Sequence, residues 1–259
     1  MTFHKKKSLG QNFLKDRSFL KPMIEAAGLA QDDTVLEIGP GFGVLTQELA
    51  GRVKLVLAVE KDFRLLEPLR RKFKHSKNIK IIHDDILNFK LDTLNGDYKV
   101  VANLPFNITS PVIRKLIDGP RPELAVLTVQ KEVGERLTAP PGDSARGMVT
   151  VFLERYAPTQ FITVIPKTAF DPIPGFDAAV IKLTPNDQPP DKLFERIVKA
   201  GFSAKRRQIH NSLAGSLKLP SDQISAILKQ ANVEPEKRAE DLTLRDWQAL
   251  SQEIAHVFA

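Results

Sequence analysis

Short apolar runs alternate with stretches of helical periodicity along the first part of the chain. Runs typical of buried strands occupy residues 35–38, 55–59, 79–83, 98–102 and 124–129. Helical patterns fill the gaps between them, notably at residues 62–74 and 110–117. Because strands that alternate with helices form parallel sheets, this order predicts an α/β fold with a doubly wound sheet. Ligands of such sheets bind at the carboxyl ends of the strands.

Two further strands and one loop follow the alternating part. Residues 160–165 and 178–183 alternate as strands with no long helix between them, which indicates an antiparallel pair that ends the sheet. They bring the total to seven strands and favour a Rossmann-like architecture. Residues 139–147 combine Pro, Gly, Asp and Ser. This composition is typical of a mobile loop, which we expect beside the helix after the fifth strand.

The C-terminal part of the chain contains helical patterns only. They follow a proline-rich segment at residues 184–190 and cover residues 194–202, 207–217, 221–230 and 243–257. The change of pattern predicts a domain boundary in the proline-rich segment. We expect a first domain over residues 1–185 that contains the sheet, and a small all-helical domain over residues 190–259.

A glycine-rich turn follows the first strand and predicts a cofactor site. It reads Gly39-Pro40-Gly41-Phe42-Gly43 and leads into a helical pattern. Glycines let the backbone approach a ligand closely, and the start of a helix offers free N–H groups. The spacing is G-x-G-x-G, whereas the dinucleotide fingerprint needs G-x-G-x-x-G, so NAD is disfavoured. The alternative is that the glycines serve only close packing of strand against helix.

Two acidic residues indicate which cofactor the turn would hold. Glu60 ends the second strand, where a carboxylate can accept hydrogen bonds from a ribose diol. Glu37 stands just before the first glycine of the turn. Together with the glycines, the pair resembles the S-adenosylmethionine (SAM) binding half of a class I methyltransferase.

The fourth strand ends in a motif that suits methyl transfer to an exocyclic amine. It reads Asn103-Leu104-Pro105-Phe106. The lone pair of such a nitrogen is delocalised into the purine ring, which makes the nitrogen a poor nucleophile. If the Asn103 side-chain oxygen and the Leu104 carbonyl accept its two N–H bonds, the lone pair turns toward the methyl group while the base stacks on Phe106. The alternative is a proline-shaped turn with a buried Phe and an Asn cap.

The composition indicates a polyanionic partner and excludes chemistry that depends on cysteine. The formal net charge is +7, and positive residues cluster at residues 5–7, 64–77 and 199–207. These clusters would outline one nucleic-acid track if folding brought them together, although each alone is typical of a solvated face. The absence of cysteine excludes disulfides, thiolate metal sites and a cysteine nucleophile. With no long apolar run and no signal peptide, we expect a cytoplasmic protein without membrane contact.

Four motifs, taken in order, resemble those of one enzyme family. They are residues 9–14 (LGQNFL), residues 37–43, the Asn103–Phe106 motif and residues 170–174 (FDPIP). The same order occurs in ribosomal RNA adenine N6,N6-dimethyltransferases, and the resemblance covers nearly the whole chain. It is closest to the enzymes that dimethylate two adjacent adenines near the 3′ end of 16S rRNA. The resemblance implies SAM as cofactor, 16S rRNA within a 30S particle as substrate, no metal, and a monomer.

The resemblance also implies roles for individual residues. Those expected to bind SAM are Asn12, Leu14, Gly39, Gly41, Glu60, Asp85, Ile86 and Asn103. Asp85 would bind the adenine amino group and Ile86 would pack on the ring, although an Asx turn at Asp84 and Asp85 is the alternative. Those expected to act in catalysis are Asn103, Leu104, Pro105 and Phe106. Those expected to bind the RNA are Phe106, Phe170, Lys205, Arg206 and Arg207.

The chain departs from the family pattern at two places. Phe106 stands where the family usually has tyrosine, so stacking is retained while a hydroxyl contact is lost. Gly175, Phe176 and Ala178 stand in a segment where the family more often has Lys-Val-Asp-Ser. The second departure changes the side chains that this segment would offer to RNA.

We interpret the chain as a SAM-dependent dimethyltransferase of adenines in small-subunit rRNA. The 23S rRNA dimethyltransferases that confer macrolide resistance share the core motifs and are the nearest alternative. A DNA adenine methyltransferase would more often show two prolines before the aromatic residue. A noncatalytic RNA-binding assembly factor with the same fold is a further alternative, which the intact SAM motifs disfavour.

Overall fold

A seven-stranded mixed sheet forms the centre of the first part of the chain. The computed structural model describes residues 12–94 and 96–258. The seven strands are β2 (Thr34–Ile38), β3 (Leu55–Glu60), β4 (Ile79–His83), β5 (Lys99–Asn103), β6 (Leu124–Gln130), β7 (Thr159–Ile165) and β9 (Ala178–Leu183). Their order is β4-β3-β2-β5-β6-β9-β7. Neighbours from β4 to β6 pair in parallel, and β9 pairs antiparallel with both β6 and β7. The predicted doubly wound sheet and its antiparallel end are confirmed.

The central strands read as continuous apolar runs because both faces of the sheet are covered. Val35, Val100 and Val126 are fully buried on β2, β5 and β6. The helices of this part are α1 (Leu20–Ala27), α2 (Val44–Ala50), α3 (Phe63–Lys72), α4 (Thr109–Asp118) and α5 (Lys131–Leu137). The Asp62 side chain accepts the N–H of Arg64 and thereby caps the start of α3. Because β2, β3, β4 and β5 run parallel, the loops that follow them gather at one edge of the sheet.

A second, two-stranded sheet anchors the N-terminal segment. Strand β1 (Phe13–Leu14) pairs antiparallel with β8 (Phe170–Asp171). The N–H groups of the next two residues along the chain from β1 donate to the Ala169 carbonyl at 2.7 and 3.2 Å. Strands of two residues leave no periodicity in a sequence, and this sheet was not predicted. It joins two of the family-like motifs, residues 9–14 and 170–174, of which residues 9–11 lie outside the described part.

A helical unit contains the remaining helices. They are α6 (Met148–Tyr156), α7 (Lys192–Gly201), α8 (Ile209–Leu217), α9 (Ser221–Gln230) and α10 (Leu244–Phe258). Trp247 is fully buried in their core, and the Phe202 ring stacks on it with centroids 5.7 Å apart. Within the described residues, no helix of either unit is long and apolar enough to cross a bilayer.

The chain divides into two compact units, and the helical unit is built from two separate segments. The sheet unit comprises the described residues up to Gly134 together with 159–186. The helical unit comprises residues 135–158 and the described residues from 187 onward. The break near 187 falls in the proline-rich segment that the sequence marks as a boundary. Residues 135–158 precede the last strands yet group with the helices, because Val151 of α6 packs in the helical core.

The segment expected to be a mobile loop, residues 139–147, is held by a buried arginine. Arg146 has no exposed surface. Its guanidinium donates to the carbonyls of Ala139 and Leu242 at 3.0 and 3.2 Å and pairs with the Glu154 carboxylate, with one contact at 2.7 Å. A buried charge with matched partners fixes the backbone around it. The segment is therefore an anchored part of the helical unit.

Candidate active site

A pocket opens at the carboxyl ends of β2, β3, β4 and β5, where a doubly wound sheet binds its ligands. It encloses about 820 Å³, including the part open to solvent. The structure brings these predicted site residues to its walls: Asn12, Gly39, Gly41, Glu60, Asp85, Ile86, Asn103 and Pro105.

The glycine turn after β2 is cradle-shaped and cannot take other residues without strain. Gly39, Gly41 and Gly43 have φ values of +69°, +58° and +70°, in the left-handed region. A Cβ on Gly41 would come within 2.8 Å of the Phe13 ring, which also lines the pocket. A Cβ on Gly43 would come within 2.6 Å of the Phe73 ring. Close packing therefore explains Gly43, while Gly39 and Gly41 face the pocket.

Glu60 is a buried carboxylate at the end of β3, directly beside the glycine turn. It accepts the N–H of Gly41 at 3.2 Å and the N–H of Asp62 at 2.7 Å. Burial raises its pKa, and the two N–H groups oppose that shift. A carboxylate oxygen can accept more than one hydrogen bond, and Glu60 lines the pocket. The carboxylate can therefore accept hydrogen bonds from hydroxyl groups of a ligand, as predicted for a ribose.

Two aspartates after β4 also line the pocket, and they differ in their contacts. Asp84 accepts the N–H of Asp85 at 2.7 Å, so its carboxylate takes part in a local turn. Asp85 accepts the N–H of Leu87 at 3.0 Å and the ammonium of Lys61 at 2.7 Å. The Lys61 ammonium holds the pKa of Asp85 below its usual range. Asp85 is thus a charged acceptor at the pocket wall, beside the buried side chain of Ile86.

Asn103, the last residue of β5, presents a buried acceptor that no described residue pairs with. Its amide nitrogen donates to the backbone carbonyl of Asn12 at 3.3 Å. Its side-chain oxygen is buried and has no hydrogen-bond partner within the described residues. The Asn12 side chain in turn donates to the Pro172 carbonyl at 2.8 Å. Buried polar atoms are normally paired, so the free oxygen of Asn103 indicates that a ligand donor belongs there.

The last residue of the Asn103–Phe106 motif belongs to an aromatic cluster. Phe106 lies in a short 3₁₀ helix, and its ring meets those of Phe176 and Phe170 edge to face, with centroids 5.1 and 6.1 Å apart. Phe170 is almost fully buried, and neither its side chain nor that of Leu14 is among the pocket walls. Phe176, which departs from the family pattern, thus belongs to the cluster. A stacking role for Phe170 stays a prediction.

The predicted basic residues of the helical unit are not equivalent. Lys205 donates to the Ser144 carbonyl and lies 3.6 Å from the Glu240 carboxylate. The side chains of Arg206 and Arg207 are exposed and make neither a hydrogen bond nor an ion pair within the described part of the chain. Free guanidinium groups on a surface are suited to phosphate contacts. Lys205 instead helps to hold the 139–147 segment. The basic residues 5–7 lie outside the described residues.

Comparison with known proteins decides the family. Residues 2–256 match the family described as ribosomal RNA adenine dimethylase. The chain belongs to this family. It is 38% identical to a ribosomal RNA small subunit methyltransferase A of Geobacillus sp. (strain WCH70), over 98% of this chain and 93% of the relative. A protein of the same name from Dehalococcoides mccartyi (strain ATCC BAA-2100) is also 38% identical, over 98% and 90% of the two chains.

Solved structures of the adenine dimethylase fold resemble the chain closely. A dimethyladenosine transferase from Plasmodium falciparum has a TM-score of 0.84 and 25% identity, covering 94% of this chain and 98% of that one. The 23S rRNA methyltransferase ErmE has a TM-score of 0.79 and 29% identity, covering 94% and 100%. The fold alone therefore does not choose between a dimethyladenosine transferase and a 23S rRNA methyltransferase.

Adenine dimethylases are methyltransferases that act on rRNA with SAM as methyl donor, and the pocket fits this cofactor. The glycine turn gives the backbone close approach, Glu60 and Asp85 offer two carboxylates, and Asn103 leaves a buried oxygen unpaired. Such a set suits a ligand rich in hydroxyl and amino donors. Within residues 12–94 and 96–258, no group of three or more His, Asp or Glu side chains could hold a metal ion.

Two pocket residues, Phe13 and Lys61, received no role from the sequence. Phe13 packs against the exposed ring of Phe42, with centroids 4.6 Å apart, and covers the glycine turn. Lys61 follows Glu60, whose register partner on β4 is His83, so Lys61 stands near the aspartates after β4. The predicted strand ends place Lys61 just after β3 and Asp85 just after β4. The register of β3 against β4, which the sequence does not give, is needed to see that the two side chains meet.

Proposed function

We propose that the chain dimethylates the N6 amino groups of two adjacent adenines near the 3′ end of 16S rRNA, within a 30S particle. The observation that carries the proposal is the buried, unpaired side-chain oxygen of Asn103 at the end of β5. An adenine amino group supplies the N–H donor that this oxygen lacks. The names of the curated relatives, which are small-subunit methyltransferases, support the choice of the 16S substrate.

The chemistry requires orientation of the amine and no strong base. The Asn103 oxygen and the Leu104 backbone carbonyl would accept the two N–H bonds of the amine, so its lone pair turns out of conjugation with the ring. SAM supplies a methyl group on a sulfonium. The bond from carbon to the amine forms as the bond from carbon to sulfur breaks, and the nitrogen then loses a proton to water. Pro105, between the motif and Phe106, fixes the turn.

Substrate RNA would be held at two places. Phe106 would stack on the extruded adenine, while its edge contacts with Phe170 and Phe176 keep its ring in position. Arg206 and Arg207 would contact phosphates, because their guanidinium groups have no partner in the described part of the protein. Lys205 would support this surface indirectly through the Ser144 carbonyl. We propose that a single copy of the chain acts on each particle.

The substrate is tested by methyl transfer from labelled SAM to 30S and 50S particles that lack the modification. The modified nucleotides are then mapped and identified. Dimethyladenosine at adjacent positions in the 30S particle is the expected result. Labelling of the 50S particle would overturn the proposal in favour of the 23S activity known from the name of ErmE. Binding of SAM without transfer to either particle would also overturn the proposal, because either the substrate is a different one or the fold serves assembly alone.

The role of Asn103 is tested by Asn103→Ala beside a matched control, Asn107→Ala. Both asparagines line the pocket, but Asn103 carries the buried unpaired oxygen while Asn107 is exposed. We expect Asn103→Ala to lose about 10²-fold or more in methyl transfer, the effect of removing one oriented polar group, with RNA binding retained. Asn107→Ala should lose much less. Equal rates in the two variants would remove the proposed role.

A further inference from the structure

The carboxylate expected to receive the cofactor's adenine is already occupied by a lysine. Lys61 and Asp85 both line the pocket, and the ammonium lies 2.7 Å from one carboxylate oxygen of Asp85. The other oxygen accepts the N–H of Leu87 at 3.0 Å. Both oxygens therefore have a donor before any ligand arrives. An incoming amino group must share or take the place of one of them.

Of these two donors, only the lysine can leave easily. The Leu87 N–H is part of the backbone, whereas the Lys61 side chain is 61% exposed and reaches water when released. Neighbouring acids are engaged elsewhere, since Glu60 accepts two backbone N–H groups and Asp62 pairs with Arg64. Asp85 is the carboxylate to which Lys61 is paired. Ion pairs at this exposure are weak and are screened by salt.

We propose that Lys61 competes with the adenine amino group of the cofactor for Asp85 and so eases exchange of spent for fresh cofactor. The inference rests on the proposed function, in which Asp85 binds that amino group. Dimethylation of two adenines consumes one cofactor per methyl group, so the product must leave repeatedly. A lysine that returns to Asp85 lowers the affinity of the site for SAM and for its demethylated product, S-adenosylhomocysteine (SAH). It also leaves the carboxylate paired after the product departs.

The experiment measures SAH binding to the full chain by calorimetry and SAH dissociation by stopped flow. Lys61→Met keeps the aliphatic length and removes the ammonium. We expect it to bind SAH about twofold to fivefold more tightly, the range set by the small strength of exposed ion pairs, through slower dissociation. The control is Lys21→Met, which breaks the pair of Lys21 with Glu25 on α1, away from the pocket walls. That variant should bind SAH as the wild type does.

Two further measurements separate competition from a general effect of methionine. Raising the salt from about 0.05 to 0.5 M should tighten SAH binding by the wild type relative to Lys61→Met, because salt weakens the pair that competes. An SAH analogue with hydrogen in place of the purine amino group should bind equally to both proteins. The inference is overturned if Lys61→Met weakens SAH binding or leaves it unchanged. It is also overturned if the substitution tightens binding of the analogue by the same factor as binding of SAH. If the wild type binds no SAH, the proposed function fails as well.

Discussion

The glycine turn gives a prediction that separates backbone strain from steric contact. We consider Gly41→Ala, whose φ of +58° lies in the left-handed region. The new Cβ would lie 2.8 and 2.9 Å from two atoms of the Phe13 ring, closer than real Cβ contacts allow. Gly28, the C-cap of α1, provides the control, because its φ is +49° and a Cβ there would meet nothing within 4 Å.

The magnitudes follow from these two environments. An alanine in the left-handed region costs about 1–2 kcal/mol relative to glycine, and this cost applies to both variants. At Gly41 the Phe13 ring must also move away from the turn, although it is packed on Phe42. Overpacking of this kind costs about 1–3 kcal/mol more. We expect Gly28→Ala to lose about 1–2 kcal/mol and Gly41→Ala about 2–5 kcal/mol of unfolding free energy.

Urea unfolding measures the stability of both variants, and calorimetric titration with SAH measures the pocket. Because Phe13 lines the pocket while Gly28 lies at the end of α1, only Gly41→Ala should lose SAH affinity. We expect that loss to be about tenfold or more, since part of the displacement energy appears as weaker binding. Equal losses of stability, with SAH affinity unchanged in both variants, would refute the reasoning from Phe13.

Three further predictions concern groups elsewhere in the two units. Burial raises the pKa of Glu37 to about 8, while a hydrogen bond from Thr46 lowers it and the charge of Glu60 raises it further. The contribution of this group to the free energy of unfolding is therefore fully present below pH 4.5 and is lost as the pH rises toward 8. Glu37→Gln should flatten this fall by up to about 1 kcal/mol per pH unit in urea unfolding, whereas parallel profiles would contradict it. Arg146→Met should destabilise by about 3–5 kcal/mol because Glu154 loses its buried partner, and adding Glu154→Gln should restore part of the loss. Replacing Arg206 and Arg207 by Gln should weaken RNA binding and reduce its salt dependence while SAH affinity is unchanged; an unaltered salt slope would exclude them as phosphate contacts.

The sequence could predict those elements of the fold that leave a recognisable local pattern of apolar and polar residues. The central strands β2, β5 and β6 are buried on both faces and leave continuous apolar runs, and the helices between the strands have a clear periodicity. Strands β1 and β8 contain two residues each and leave no pattern. Residues 135–158 group with the helical unit through contacts distant in sequence, such as those of Val151, which periodicity does not report.

The candidate site divides in the same way. Gly39, Glu60, Asp85 and Asn103 stand at strand ends, so parallel-sheet geometry was sufficient to bring them to one pocket. The pairing of Lys61 with Asp85 depends on the register of two strands. The burial of Phe170 depends on the small sheet that the sequence did not reveal.

The division of the helical unit into two segments has a consequence for synthesis and for dissection of the protein. Helix α6 is made well before α7 to α10, and the strands β7 and β9 are made in between. The apolar face of α6 therefore lacks its partners on α7 and α10 until those helices have been made, while the sheet can already form. A cut in the proline-rich segment would leave the C-terminal fragment without Val151 and the buried Arg146. We expect such a fragment to expose apolar surface. The roles of the two units are therefore better distinguished by substitutions in the full chain than by truncation.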